Sequence, residues 1–570
     1  MRNIEAVLGR YEKPVVAAMR ALDDGGFLEK LWARDATIWT GDPEIQKKIK
    51  NRLGWLTVAE EMTHRAGELM EFARTVRDAG FTHVVLLGMG GSSLCAEVCR
   101  ETYGVASGYP DLAVLDSTDP ATIHKMEKSV NLERTLFILA SKSGTTIEMQ
   151  SLYRYFSARL ATLKPGPVGG QFVAITDPGT PLEALARAQA FRKLFLNAPD
   201  IGGRYSALSY FGLVPLALTG MDLPPFLERA QEMVRACLPD RRASASSAPI
   251  VDNPGVGLGT VLGALGLQGL DKVTLILSPA VRSFGGWLEQ LLAESTGKEG
   301  KGLIPVDGEP IGRPEVYGPD RLFVRLKAAW DADETPDEKI DALQTSGHPV
   351  VRILLSDPLD LAGEFFRWEL ATATAGAILG VNPFDEPNVT ESKENTGKLL
   401  EAFRATGHFP SSPIGLEQKG VRLYSDQERN LKGSLQEAVR LFLERAKRSD
   451  YVALMVYLER SDLNEALLQT VRTRIRDRHR LAVTLGYGPR FLHSTGQLHK
   501  GGPKTGCFIQ VTAEDRDDLP IPGQPYGFSV LKQAQALGDY LSLSRRGLPL
   551  LRIDLGRDEE NGLKTLMESI

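Results

Sequence analysis

HVVLLGMGGSS (residues 83–93) is a run of apolar, β-favouring residues that stops abruptly at glycines and hydroxyls. Three further runs follow the same rule: DLAVLDSTDP (111–120), TLFILASKSGTT (135–146) and QFVAITDPGT (171–180). Each is four to six apolar residues long, and most are separated by helix-length segments. Continuous apolar strands alternating with helices specify a parallel sheet covered on both faces. VAEEMTHRAGELMEFARTVRDAG, an amphipathic helix, leads into the first strand and stops at Gly80.

The rhythm recurs twice. KVTLILSPAV and HPVVRILLSD read as strands of a second α/β unit. DYVALMVYL, LAVTLGYGPR, GCFIQVTAED and LLRIDLG read as strands of a third. The expected organisation is an N-terminal helical and irregular segment over 1–55, α/β units over 56–225 and 226–430, and a C-terminal α/β extension over 431–570. Several domains are in any case required of 570 residues.

GMGGSS (88–93) and SKSGTTIEM (141–149) each place glycines and hydroxyls between a strand and a helix. Such a turn aims backbone N–H groups and the positive end of a helix dipole at one point, which favours phosphate. Gly91 allows close backbone approach, and Ser92, Ser141, Ser143, Thr145 and Thr146 can donate to phosphate oxygens. Taken singly, either loop is an ordinary cap and tight turn; together they point to a sugar-phosphate site. The lysine-bearing pattern of nucleoside-triphosphate loops is missing.

The pair GMGGSS and ASKSGTT resembles the sugar-isomerase (SIS) fold of the glucose-6-phosphate isomerase family, in which the second loop grips the substrate phosphate. DIGGRYSALSYFG (200–212) is similar to that family's GGR signature and makes Arg204 the cation for an enediolate. WLEQLLAESTGKEGKGLIP (287–305) is similar to the segment that carries the family's base, here Glu294, with Gln290 one turn earlier on the same face. Glu289 and Glu299 fit that motif less well. ILGVNPFDEPNVTESKENT (378–396) resembles the family's NPFDQPGVExxK. The resemblance implies that Lys393 helps bind and open the ring, and that Glu386 stands where relatives have glutamine. Lys532 is a rival to Lys393.

Relatives carry a ring-opening histidine between the base and the NPFD segment. The only histidine in that interval here is His348, in surroundings that match nothing in the family. FLHSTGQLHKGGP (491–503) resembles the family's histidine segment instead and puts His493 at the catalytic position, with His499 as a second histidine. This order resembles the isomerase half of transaldolase–phosphoglucose isomerase fusions. An imidazole exchanges protons near neutral pH, as ring opening requires.

The resemblance implies interconversion of glucose 6-phosphate and fructose 6-phosphate through an enediol, with no metal or other cofactor, by a homodimer. A sugar-phosphate sensor on the same fold and an isomerase that also takes mannose 6-phosphate stay open as alternatives. A net charge of −5, from 67 basic and 72 acidic residues, gives no field for nucleic acid. The four cysteines, Cys95, Cys99, Cys237 and Cys507, are too few for a disulfide framework. The start of the chain lacks the apolar core of a signal peptide, and no stretch reaches the ~18 apolar residues of a membrane span. The expected location is the cytoplasm.

Overall fold

The structure is a computed structural model that describes residues 3–164, 166–239, 253–332, 337–410, 413–425 and 433–570. Its sixteen named strands form three sheets among those residues. The chain opens with β1 (Ile4–Val7), then runs through β2 (His83–Gly88), β3 (Asp111–Leu115), β4 (Thr135–Ala140), β5 (Phe172–Thr176) and β6 (Lys193–Leu196). The middle of the chain supplies β7 (Lys272–Leu277), β8 (Ile304–Val306), β9 (Arg321–Ala328) and β10 (Val350–Leu355). The last part supplies β11 (Leu416–Gln418), β12 (Val421–Tyr424), β13 (Tyr451–Tyr457), β14 (Ala482–Tyr487), β15 (Gly506–Thr512) and β16 (Leu550–Asp554).

The first sheet has the order β3-β2-β4-β5-β6 and is parallel throughout. From β2 the chain steps to β3 on one side and then to β4 on the other. The carboxyl ends of β2 and β4 therefore flank a switch point, where open α/β sheets hold their ligands. Both hydroxyl-rich loops leave from these two strand ends.

The second sheet has the order β1-β10-β9-β7-β8, with β1 antiparallel on its edge. Ile4–Val7 is a short edge strand that pairs with Val350–Ile353, ahead of the helices Glu12–Asp24, Phe27–Trp32 and Pro43–Lys50 of the N-terminal segment. The third sheet has the order β11-β12-β16-β15-β13-β14. Its hairpin β11–β12 begins at Leu416, ahead of the expected boundary near 430, which itself lies outside the described residues.

Burial welds the units together. One core joins β2 of the first sheet to β7 of the second and to the long helix Asp360–Leu379. A second cluster packs Phe528, Leu531 and Ala534 of helix Phe528–Ser544 against the outer face of the first sheet. A third joins Ala293 and Ile304 to Tyr451 and Phe508. The C-terminal extension is thus fastened to both other units. All four cysteines are free and buried.

Candidate active site

The GMGGSS loop needs its glycines because three other segments crowd it. Gly90 has φ +54°, and a Cβ there would lie 2.7 Å from Gln290 Nε2 and 2.8 Å from the His493 carbonyl. A Cβ on Gly91 would lie 2.0 Å from the Gly203 carbonyl. Four of the quoted segments, far apart in the chain, therefore meet at one point. Ser92 is buried at the end of this turn.

The second loop closes on itself. Ser141 Oγ lies 2.9 Å from Thr146 Oγ1 and accepts from the Gly144 N–H, and Ser143 Oγ lies 2.9 Å from Thr145 Oγ1. Ser143 and Thr145 are exposed, while Ser141 is buried. Thr146 begins the seventeen-residue helix Ile147–Leu163, whose first N–H groups face the same loop. Lys142 is turned aside into an ion pair with Asp177.

Arg204 stands in the 3₁₀ turn Gly203–Tyr205 and is buried. Its Nε donates to Ser295 Oγ at 2.8 Å, and Nη2 donates to the carbonyls of Pro383 (2.8 Å) and Asp385 (2.9 Å). Nη1 lies 3.3 Å from Glu294 Oε1 and 3.1 Å from Glu386 Oε2.

Glu294 lies on the last turn of helix Phe284–Thr296, whose Trp287, Leu288, Leu291 and Leu292 anchor it in the core. Burial pushes its carboxyl above the ordinary carboxylate range, against the pull of Arg204; the charge of Glu386 adds to the rise. Gln290 Nε2 donates to Glu294 Oε2 at 3.1 Å and to the His493 carbonyl at 2.8 Å.

Lys298 follows the helix. Its Nζ donates to the Asn382 carbonyl at 2.7 Å, to the Asp385 carbonyl at 2.5 Å and to Asp385 Oδ1 at 2.8 Å. Burial and the neighbouring Arg204 push it down to about 8 against the pull of Asp385. Arg204 and Lys298 together clamp the NPFDE turn onto the end of the Glu294 helix.

His493 ends the 3₁₀ turn Arg490–His493, after β14. Its Nε2 lies 2.9 Å from Glu148 Oε1, and Gln535 Nε2 donates to the same oxygen at 2.7 Å. Burial pushes Glu148 up, but the charge and hydrogen bond of His493, the local backbone and Lys393 outweigh it and leave the carboxyl below its ordinary value. Arg490 fixes the turn by pairing with Glu97 and, at 2.6 Å, with Asp116.

Gln497 ties the turn to the rest of the site. It donates to the Gly297 carbonyl at 3.0 Å, donates to Asn388 Oδ1 at 2.8 Å, and accepts from the Asn388 N–H. The chain thus brings Glu294, Arg204, Gln290, Glu386 and His493 into one cluster, beside the two cradle loops.

Lys393 is exposed on helix Val389–Thr406, close enough to Glu148 to influence its charge. Lys532 is held between Asp119 (2.7 Å) and Asp515 (2.5 Å). His499 is packed against Phe508 and Phe491, and burial pushes it down to about 3. His348 lies against Phe323.

Sequence reasoning missed Glu148, Lys298, Ser295 and Gln497. All four stand inside quoted segments, so their positions were available but their partners were not. Among the described residues no three His, Cys, Asp or Glu side chains are grouped to hold a metal.

Residues 58–301 match the family described as phosphoglucose isomerase. That span includes the cradle, Arg204 and Glu294, and ends before Glu386 and His493. A probable glucose-6-phosphate isomerase of Methanococcus maripaludis is 27% identical over 397 residues, covering 62% of this chain and 86% of its own. The glucose-6-phosphate isomerase of Campylobacter jejuni is 28% identical over 410 residues, covering 62% of this chain and 93% of its own.

Among solved structures, a glucose-6-phosphate isomerase from Chlamydia trachomatis superposes with a TM-score of 0.58 at 18% identity, over 72% of this chain and 90% of its own. A hypothetical protein, TT0462 of Thermus thermophilus, gives the same TM-score at 23% identity, over 71% of this chain and all of its own. At these identities the superpositions speak to the fold. Over residues 58–301 the chain is similar to the phosphoglucose isomerase family, and the two relatives named above extend that similarity to 62% of its length.

Proposed function

We propose that the protein interconverts glucose 6-phosphate and fructose 6-phosphate by enediol proton transfer. The observation that carries this reading is the single cluster in which Arg204 Nη1 touches Glu294 and one amide, that of Gln290, touches both Glu294 and the His493 backbone. A buried carboxylate with a raised proton affinity suits a general base at neutral pH.

In this reading the phosphate rests on the Gly91–Ser92 turn and on Ser141, Ser143, Thr145 and Thr146, at the N-terminus of helix Ile147–Leu163. His493, oriented by Glu148, moves the proton between the ring oxygen and the C1 hydroxyl so that the ring opens. Glu294 takes the proton from C2 of the open aldose, and the charge passes to the oxygen at C1. Arg204 faces that oxyanion, the proton of the C2 hydroxyl passes to the C1 oxygen, and the protonated Glu294 returns its proton to C1, giving the ketose. Gln290 keeps the base in place, Glu386 shares Arg204 with it, and Lys393 stands as the cation at the rim of the site.

We further propose that the protein is a cytoplasmic homodimer in which each chain carries its own histidine. No helix among the described residues is long and apolar enough to cross a membrane.

A coupled assay on purified protein tests the reading. Fructose 6-phosphate should be converted to glucose 6-phosphate without added metal, and the same assay with mannose 6-phosphate decides whether the second epimer is also a substrate. Binding of fructose 6-phosphate with no turnover would make the protein a sugar-phosphate sensor instead.

A further inference from the structure

Arg204 Nη1 is divided between two carboxylates, with Glu294 Oε1 at 3.3 Å and Glu386 Oε2 at 3.1 Å. The rest of the guanidinium has no freedom to compensate, because Nε is held by Ser295 and Nη2 by the carbonyls of Pro383 and Asp385. The two carboxylates differ in setting. The Glu294 side chain is 11% exposed and that of Glu386 is 49% exposed. Glu386 is half open to water, which screens its charge, whereas Glu294 is enclosed among its neighbours.

We propose that Glu386 is a positioning residue for the base: by taking part of Arg204 Nη1 it loosens the guanidinium's hold on Glu294 and keeps that carboxylate a stronger base. The proposal rests on the reading of Glu294 as the base and adds a determinant of its strength. The segment carrying Glu386 otherwise resembles a pattern with glutamine at this position, so the second negative charge is a feature of this chain.

The other groups facing Glu294 bear on the sign. Arg204 and Tyr205 face it from the GGR turn, Gln290 from its own helix, and Lys298 from the loop that follows. Lys298 is occupied by Asp385 and by two carbonyls of the NPFDE turn. Burial raises Glu294, Arg204 and Lys298 pull it down, and Glu386 pushes it up. Removing the charge of Glu386 takes away one upward influence. It also leaves Nη1 to Glu294 alone, which strengthens a downward one. Both changes favour the ionised base.

Glu386→Gln tests this, because the amide oxygen can still accept from Arg204 but carries no charge. The acid limb of kcat/KM should move to lower pH by about one unit, the low end of what an opposite charge within contact range produces. The plateau rate should fall by about threefold, since a weaker base transfers the proton less readily. Glu386→Asp, which keeps the charge, should leave the limb near its wild-type position.

A limb that stays in place in Glu386→Gln, or moves to higher pH, overturns the proposal and leaves Glu386 a structural brace. Glu386→Ser removes the same charge and reads the same shift should the glutamine variant misfold. Glu294→Gln is the separate control. If it retains activity, the assignment of the base has failed, independently of anything Glu386 does.

Discussion

His493 Nε2 lies 2.9 Å from Glu148 Oε1, although 345 residues separate the two in sequence. Gln535 donates to the same oxygen, and Thr118 Oγ1 donates in turn to Gln535 Oε1. The first and third α/β units therefore fix the imidazole jointly, and the turn that carries His493 meets Gln290, and through it Glu294, within one chain.

Ring opening should depend on this imidazole. His493→Ala should lower kcat on the ring-closed sugar by about a hundredfold, within the usual range for general acid–base catalysis. Exchange starting from an open-chain analogue should fall much less. His348→Ala should change neither rate, since that ring packs against Phe323 and Tyr317.

If each chain supplies its own histidine, two inactive variants cannot repair one another. His493→Ala and Glu294→Gln proteins, unfolded together and refolded as a mixture, should regain no activity beyond the sum of the two. Recovery toward about one quarter of wild type would mean that the histidine acts across a subunit boundary.

Ser143→Ala combined with Thr146→Ala should raise KM for both sugar phosphates by tenfold or more, since each lost hydrogen bond to a charged group is worth about 1.5–3 kcal/mol. Free glucose should gain nothing from the change. An unaltered KM would show that the loop does not hold phosphate.

Lys298→Met should act on the base in the direction opposite to Glu386→Gln. Lys298 pulls Glu294 down, so its loss raises the base's proton affinity and moves the acid limb of kcat/KM to higher pH. The limb is best followed below pH 7.5, because Lys298 itself sits at about 8 and gives up its charge above that. A limb displaced the same way by both variants would show that neither acts through charge on Glu294.

The cradle was legible because its requirements are local. A strand end, two glycines and a helix start are consecutive in sequence, and they lie at adjacent strands β2 and β4. Glu294, Arg204 and His493 were legible only through their motifs, since nothing in residue spacing says that positions 204, 294 and 493 converge. Glu148 was not legible at all. Two residues after the cradle, it reads as an ordinary acid in the first turn of a helix, and its partner belongs to another unit of the fold.

Strand β9 was passed over for a related reason. RLFVRLKA places Arg321 and Arg325 where an apolar run was sought. Both are buried, and the Nη1 and Nη2 groups of Arg321 donate to Glu309, Thr274 and the Leu481 carbonyl. Strands β1 and β8, of four and three residues, are shorter than any pattern can establish.

The central claim is that Glu294 carries a proton between C2 and C1, and isotope exchange tests it most directly. Fructose 6-phosphate incubated with the wild-type protein in D₂O should yield glucose 6-phosphate carrying deuterium at C2 over many turnovers, because a carboxylic acid exchanges its proton with solvent. Glu294→Gln should give neither conversion nor label. Conversion without deuterium at C2, or label incorporated by Glu294→Gln at a rate near wild type, would contradict the account.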